Sequence, residues 1–239
     1  MKRFYSFKVS YFLTFFFLSA SIFTVSIIFG VRHAVLASSE LSVTRFTVII
    51  DAGHGGEDGG AVGANNALEK DINLSIALLV QERLEKAGTA VEMIRDTDIS
   101  VGDLSLPTVA ERKRSDIHYR TEFVNSRQDS ILVSIHQNFF EQSKYSGAQM
   151  FYSTATPDSI RLAEAIRKCI TEDLQPENKR ENKPSDGIYL LDHVQAPAVI
   201  VECGFLSNPD EAALLCNSAY QKKMADAISS GIIRFIDGE

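Results

Sequence analysis

The sequence predicts an α/β domain with a mainly parallel, twisted sheet that is flanked by helices on both faces. Extended and helical patterns alternate along the chain from Phe46 onwards. Parallel strands need long crossover connections, and these are usually helices. The chain has 239 residues, of which 45% are hydrophobic, so it has enough apolar material for one sizeable core. We therefore expect a single domain of the size that a catalytic domain needs.

The individual elements follow from short apolar runs and from helical spacing. Runs typical of strands lie at residues 46–51, 90–95, 131–136, 149–152, 187–191 and 198–203. Apolar residues recur at intervals of three and four in the segments 68–87, 109–126, 157–174 and 220–236, which predicts helices. Gly88 is expected to end the first helix. Asn208 followed by Pro209 predicts the start of a further helix, because asparagine caps helices and proline favours their first position.

Residues 1–37 differ in composition from the rest of the chain. Lys2, Arg3 and Lys8 precede the segment 11–31, which holds no charged residue. This segment is long enough to span a bilayer as a helix, and the basic flank predicts a cytoplasmic N-terminus. Residues 35–37 resemble a signal-peptide cleavage site. A cleaved signal peptide and a retained membrane anchor both stay open, although the length of the apolar run favours the anchor.

The division of the rest of the chain follows from this N-terminal segment. We expect residues 38–45 to be a short linker and residues 46–239 to form the catalytic domain, located outside the cytoplasm. The formal net charge of −7 argues against a nucleic-acid partner. The cysteines Cys169, Cys203 and Cys216 form no CxxC pair, and we interpret them as small hydrophobic residues. The polar segment 175–186 predicts a solvated loop, and a lip that faces the substrate is the alternative.

Polar side chains lie at the predicted ends of three strands. His54 follows the first strand within the glycine-rich segment DAGHGGEDGG, His136 ends ILVSIH, and Glu202 ends AVIVE. Ligands bind outside the carboxyl ends of the strands in open α/β sheets, so these side chains are expected to share one cleft. Glu69 begins the helix after the glycine-rich loop, and this loop would bring Glu69 back towards His54.

Two histidines and a carboxylate are a known ligand set for catalytic zinc. The glycines fit such a site because they permit tight turns and a close approach of substrate. Each residue also has a simpler explanation: His136 as a core histidine, or Glu69 as an acid at the positive end of a helix. Glu202 is harder to explain in that way, because a buried charge needs a partner. Taken together, the four residues favour a metal site.

Four segments, in order, resemble those of the zinc-dependent N-acetylmuramoyl-L-alanine amidases with a type-3 catalytic domain, which cut peptidoglycan. These segments are IIDAGHGGEDGGAVG, LEKDINLSIALLVQERLEKAG, ILVSIHQN and VIVECGFLSNPDEAALL. RDTD and DIHYRTEFVNSR match further family segments, and the resemblance covers residues 46–236. GGEDGGAVG, GAQMFY and IYLL resemble the sporulation and germination branch, the CwlD branch, which contributes to muramic-δ-lactam in spore cortex.

The resemblance implies one Zn²⁺ held by His54, Glu69 and His136, with Glu202 as the catalytic base. The expected reaction is hydrolysis of the amide bond between N-acetylmuramic acid and L-alanine. Arg120 is a weaker candidate for binding the anionic stem peptide, and a helix-surface ion pair is its alternative. Residues 137–140, Gln-Asn-Phe-Phe, are bulkier than is usual in the family. The chain has little room for the helical insertion that blocks some relatives, so we expect an open site.

Other functions stay open at this point. A vegetative autolysin would use the same chemistry, and a zinc carboxypeptidase or sugar deacetylase would use a similar site. A catalytically silent wall-binding protein is the alternative from a different class. The resemblance places the protein in the cell envelope or the forespore intermembrane space, secreted or anchored through residues 11–31. Peptidoglycan is the expected partner, and a protein partner is left undetermined.

Overall fold

A computed structural model describes residues 46–238, which contain one six-stranded sheet. Its strands, in chain order, are β1 (Thr47–Ala52), β2 (Val91–Met93), β3 (Ser130–Asn138), β4 (Gln149–Tyr152), β5 (Lys183–Pro184) and β6 (Ala198–Phe205). They lie side by side in the order β2-β1-β3-β6-β4-β5. The β4–β6 pair is antiparallel, and the other neighbouring pairs are parallel. The prediction of a mainly parallel sheet is confirmed.

Helices cover both faces of this sheet. They are α1 (Glu69–Lys86), α2 (Val109–Asn125), α3 (Pro157–Asp173), α4 (Tyr189–His193), α5 (Pro209–Leu215) and α6 (Ser218–Asp237). The larger core joins one sheet face, with Ile50 and Val133, to α1, α3 and α6. The smaller core joins the opposite face, with Ile49 and Leu132, to Val124 of α2 and to α4. Alternate residues of a strand point to opposite faces of the sheet, so neighbouring residues such as Ile49 and Ile50 belong to different cores.

The long helices occur where the apolar spacing predicts them, and their ends follow the expected chemistry. Gly88, after α1, has φ of +84°, a conformation that glycine adopts without strain. The Asn208 side chain accepts hydrogen bonds from the backbone N–H groups of Asp210 and Glu211, which caps α5. Both predicted helix boundaries are therefore confirmed.

The predicted strand at residues 187–191 is wrong, because this segment leads into the short helix α4. The Asp192 N–H donates to the Ile188 carbonyl at 3.0 Å, which is a helical bond. Leu190 and Leu191 are both buried in the smaller core, whereas adjacent strand residues would point to opposite faces. The predicted loop at 175–186 is also interrupted, since Lys183 and Pro184 form β5 and pair with β4.

Two strands extend beyond the ends that the sequence predicted. β3 continues past His136 to Asn138, and β6 continues past Cys203 to Phe205. The strands remain paired there because the register shifts between His136 and Asn138, after which Asn138 pairs with Phe205. His136 and Glu202 thus lie within the two central strands, near their carboxyl ends.

The predictions for residues 1–37 and 38–45 lie outside the residues that the structure describes. Within residues 46–238, no helix has both the length and the apolar character required to cross a bilayer.

Candidate metal centre

Three side chains from three different elements meet above the carboxyl ends of β1 and β3. His54 lies in the loop after β1, Glu69 is the first residue of α1, and His136 lies in β3. The Glu69 Oε1 atom is 3.2 Å from His54 Nε2 and 3.0 Å from His136 Nδ1. One ligand atom from each residue lies within 4.8 Å of the others, which is close enough for one metal ion. The convergence predicted for these residues is confirmed.

Backbone and amide donors hold Glu69 in place. Its Oε1 accepts a hydrogen bond from the Gln137 N–H at 3.1 Å and its Oε2 accepts one from the Ala61 N–H at 2.8 Å. The Asn73 amide, one turn along α1, donates to Oε1 and to the Gly53 carbonyl. These contacts fix the position of the carboxylate between the two imidazoles.

Two glycines are required by this close packing. A Cβ atom on Gly53 would lie 2.1 Å from His136 Nε2, and one on Gly60 would lie 2.6 Å from Glu69 Oε2. Gly60 also has φ of +66°, which disfavours other residues. The glycine-rich loop is therefore needed to let its backbone pass against the ligand side chains.

The electrostatics of the site favour a cation. Burial alone would lower the pKa of His54, but the hydrogen bonds that His54 donates to Asp58 and Glu69 outweigh it and raise this pKa to about 9. Burial alone would raise the pKa of Glu69, but hydrogen bonds from His136 and His54 hold it far below its usual value. A buried carboxylate beside two nitrogen ligands is the donor chemistry that zinc prefers. The residues present therefore fit a zinc ion.

Glu202 is the second carboxylate of the site. It is paired with His136 in the register of β3 and β6, so the two side chains are neighbours on one sheet face. Its Oε2 atom is buried and has no hydrogen-bond partner within residues 46–238. Burial raises the pKa of Glu202 to about 7. An unpaired carboxylate next to a ligand histidine can exchange a proton with a reacting group.

A cleft of about 180 Å³ opens beside these residues. Its walls include His54, His136 and Ile200 from the sheet side and Tyr189 from α4. The bulky residues after His136 do not fill it, since Phe139 and Phe140 are 51% and 49% exposed and neither lines this cleft.

Comparison with known proteins decides the family. The family model described as N-acetylmuramoyl-L-alanine amidase matches residues 48–234. The chain belongs to this family. It is 37% identical over 188 residues to the germination-specific N-acetylmuramoyl-L-alanine amidase of Bacillus subtilis, which covers 79% of this chain and 78% of the relative.

Solved amidase structures have the same fold. The CwlD amidase from Clostridioides difficile, in complex with the GerS lipoprotein, is 40% identical with a TM-score of 0.78, over 81% of this chain and all of that one. A second amidase, from Clostridium difficile 630, is 28% identical with a TM-score of 0.70, over 82% of this chain and 99% of that one. Both the family and the resemblance to its germination branch are thus confirmed.

Arg120 is only 3% exposed, so it is not a surface residue, although it lines the cleft beside His54 and His136. It is buried and forms ion pairs with Asp51 and with Asp116. Its guanidinium also donates to the carbonyls of Ala52 at 3.1 Å and His54 at 2.8 Å. The predicted helix-surface ion pair is wrong because α2 packs this side chain against the end of β1. Arg120 positions the loop that carries His54.

Sequence reasoning missed two residues that support the ligands. Asp58 Oδ2 is 2.9 Å from His54 Nδ1, and its other oxygen is 2.7 Å from Lys113 Nζ. The buried Arg95 donates to the carbonyls of Ala52 at 2.7 Å and Gly53 at 3.0 Å. The acid in the glycine-rich loop and the RDTD segment were the available signals, but neither indicates which backbone groups a side chain reaches.

Proposed function

We propose that this amidase hydrolyses the amide bond between the lactyl group of N-acetylmuramic acid and L-alanine in peptidoglycan. The observation that carries the proposal is the cluster of His54, Glu69 and His136, with the unpaired Glu202 carboxylate beside it. Membership of the family supports the choice of bond. The cleft beside the cluster gives a bulky substrate access to it.

Zinc dependence is part of this proposal. His54, Glu69 and His136 would hold one Zn²⁺, which when bound supplies Lewis-acid activation of water and of the scissile carbonyl. Asp58 accepts a hydrogen bond from His54 Nδ1, so that Nε2 is left to bind the metal. Glu69 contributes a negative charge that offsets part of the charge of the ion.

Glu202 is proposed as the general base and then the general acid. Its carboxylate accepts the proton of the attacking water and delivers a proton to the amine of L-alanine as the amide bond breaks. Because burial raises the pKa of Glu202 to about 7, it can hold and release this proton near neutral pH. The pairing of β3 with β6 places it beside His136.

We also propose a role outside the cytoplasm, in spore cortex, at the step that leads to muramic-δ-lactam. The name of the germination-specific relative supports this assignment. Secretion or anchoring through residues 11–31 belongs to the same proposal. The CwlD structure is a complex with a lipoprotein, which supports a protein partner for this chain as well.

The test is digestion of purified peptidoglycan by the zinc-loaded protein, followed by mass spectrometry. Release of stem peptides with a free L-alanine amino group, abolished by a chelator and restored by zinc, is the expected result. Loss of a terminal residue would indicate a carboxypeptidase, and loss of an acetyl group would indicate a deacetylase. Binding to the wall with no product would identify a silent wall-binding protein.

A further inference from the structure

A second groove lies next to the metal site and has no role in the chemistry described above. It has a volume of about 360 Å³, and its walls include the aromatic rings of Phe140, Tyr145, Phe151 and Phe205 and the cationic side chains of Arg180 and Lys183. We call it the aromatic groove. The two cations come from the polar segment 175–186, which sequence reasoning treated as a solvated loop.

The aromatic groove is continuous with the metal site through neighbouring residues of the sheet. Phe151 of the groove pairs with Ile200 of the cleft, and Gln149 of the groove pairs with Glu202. Residues directly opposite each other in antiparallel strands present their side chains on the same face. A substrate that extends from the metal site across β6 towards β4 would therefore enter the groove.

Arg180 is held in one orientation. Its Nε donates to the Ser146 carbonyl at 2.8 Å and its Nη1 donates to Gln149 Oε1 at 3.1 Å. The guanidinium carbon also lies 4.6 Å from the centre of the Phe205 ring, within the range of a cation–π contact. These contacts order the side chain before any ligand binds, which lowers the entropy that is lost on binding.

Neither cation has an acidic partner within ion-pair distance in the part of the chain that the structure describes, although the charge of Arg180 acts on Glu211 at longer range. Arg180 Nη2 makes no hydrogen bond within residues 46–238. Most of the other arginines in this region pair with an acid, as Arg112 does with Glu57. An ordered guanidinium with a free N–H group fits an anionic ligand, and a carboxylate is the natural partner.

We propose that the aromatic groove is the subsite for the stem peptide and that Arg180 and Lys183 bind one of its free carboxylates. This inference rests on the proposed amidase function. The stem peptide is the anionic part of the substrate, so its charge is complementary to that of the groove. The aromatic rings pack against its apolar side chains. The amide bond is thereby aligned between the metal site and Glu202, and Arg180 takes the role that the sequence had suggested for Arg120.

The test uses two muramyl peptides, N-acetylmuramyl-L-alanyl-D-glutamate and the same compound with both carboxylates converted to amides. Release of the L-alanine amine by the full, zinc-loaded chain gives kcat and KM for each. We expect wild type to have a KM about tenfold lower for the acid, the size of one charge-assisted hydrogen bond. Arg180→Ala and Lys183→Ala are expected to raise KM for the acid, to leave kcat within about twofold, and to change neither value for the amide.

Lys179→Ala is the matched control, because it removes a neighbouring exposed cation that does not line the groove. Lys183→Ala is not expected to disturb folding, because this exposed side chain forms no hydrogen bond or ion pair within residues 46–238. An effect of this variant on KM therefore reports on binding and not on misfolding. Equal KM values for acid and amide in wild type, with no effect of either variant, would overturn the subsite and leave the amidase function intact. Failure of wild type to cleave either compound would overturn the amidase function and the subsite together.

Discussion

His136 and Glu202 are paired in the register of β3 and β6, so the proposed metal ligand and the proposed proton acceptor are direct neighbours on one sheet face. The parallel pairing of these two strands brings together two residues that lie 66 positions apart in the sequence. The positions of Glu69 and Glu202 differ, and this difference supports different proposed roles for the two carboxylates. Glu69 lies between the histidines, whereas Glu202 lies beside them with an unpaired oxygen.

Glu202→Gln is expected to retain zinc and to lose activity by about 10²–10⁴-fold, the usual contribution of a general acid–base. Glutamine fills the same volume but accepts no proton from water. Metal analysis and stem-peptide release, measured on the same preparation, check this. Zinc lost together with activity would make Glu202 a ligand or a folding residue.

Asp58→Ala is expected to weaken zinc binding about 10–100-fold, the range found when the hydrogen-bond partner of a ligand histidine is removed. Asp58 orients the His54 ring through Nδ1. Competition with a chromogenic chelator measures the affinity. Glu57→Ala is the matched control, because the neighbouring acid pairs with Arg112 and does not reach His54. Equal affinities in the two variants would contradict the role of Asp58.

Asp51→Asn is expected to lower the free energy of unfolding by about 3 kcal/mol at neutral pH, because it leaves the buried Arg120 with one fewer carboxylate. Burial alone would raise the pKa of Asp51, but Arg120 and Ser134 hold it below its usual value. The stabilisation is therefore fully present above the unfolded pKa of about 3.9 and is lost as pH falls through the lower folded pKa.

Urea unfolding of both proteins at several pH values, with a chelator present, measures this difference without a contribution from metal binding. The difference between wild type and Asp51→Asn should be constant above about pH 5 and should shrink below about pH 3.9. A difference that grows as pH falls would contradict the buried ion pair.

Cysteine accessibility tests the packing of the sheet. Cys169 and Cys203 are buried in the larger core, and burial raises the pKa of both thiols, whereas Cys216 is exposed. Iodoacetamide is expected to modify Cys216 alone in the folded protein and all three cysteines in urea, as read by mass spectrometry. Rapid labelling of Cys203 under native conditions would show that β6 is not packed as described.

Much of the fold follows from residues that act locally. Apolar spacing in α1 and α6, the glycine after α1 and the cap at Asn208 each determine an element or its end without distant contacts. The strand predicted at 187–191 was wrong because the apolar residues of this segment fit a buried strand or one helical turn equally well. Tertiary packing decides between the two structures. β5 was missed because two residues with a proline carry no strand pattern.

The convergence of His54, Glu69 and His136 was predictable because strand ends, a glycine-rich loop and family motifs all indicated the same residues. Glu202 was expected at the end of its strand. β6 in fact continues to Phe205, but Glu202 still pairs with His136. The helix-surface ion pair expected as one alternative for Arg120 was wrong because a sequence does not show which face of α2 packs on β1, whereas its candidate role in binding the stem peptide stays a prediction. Arg180 was overlooked because its segment is polar throughout and gives no sign of a contact with another element. The fold brings it beside Gln149.

The central claim is that His54, Glu69 and His136 bind one divalent cation, and locating that cation tests it most directly. Crystals of the zinc-loaded protein, with data collected on both sides of the zinc absorption edge, give an anomalous map. We predict one peak between the two imidazoles and Glu69, and its loss in Glu69→Ala. A peak elsewhere, or a folded protein that binds no zinc at these side chains, would contradict the account.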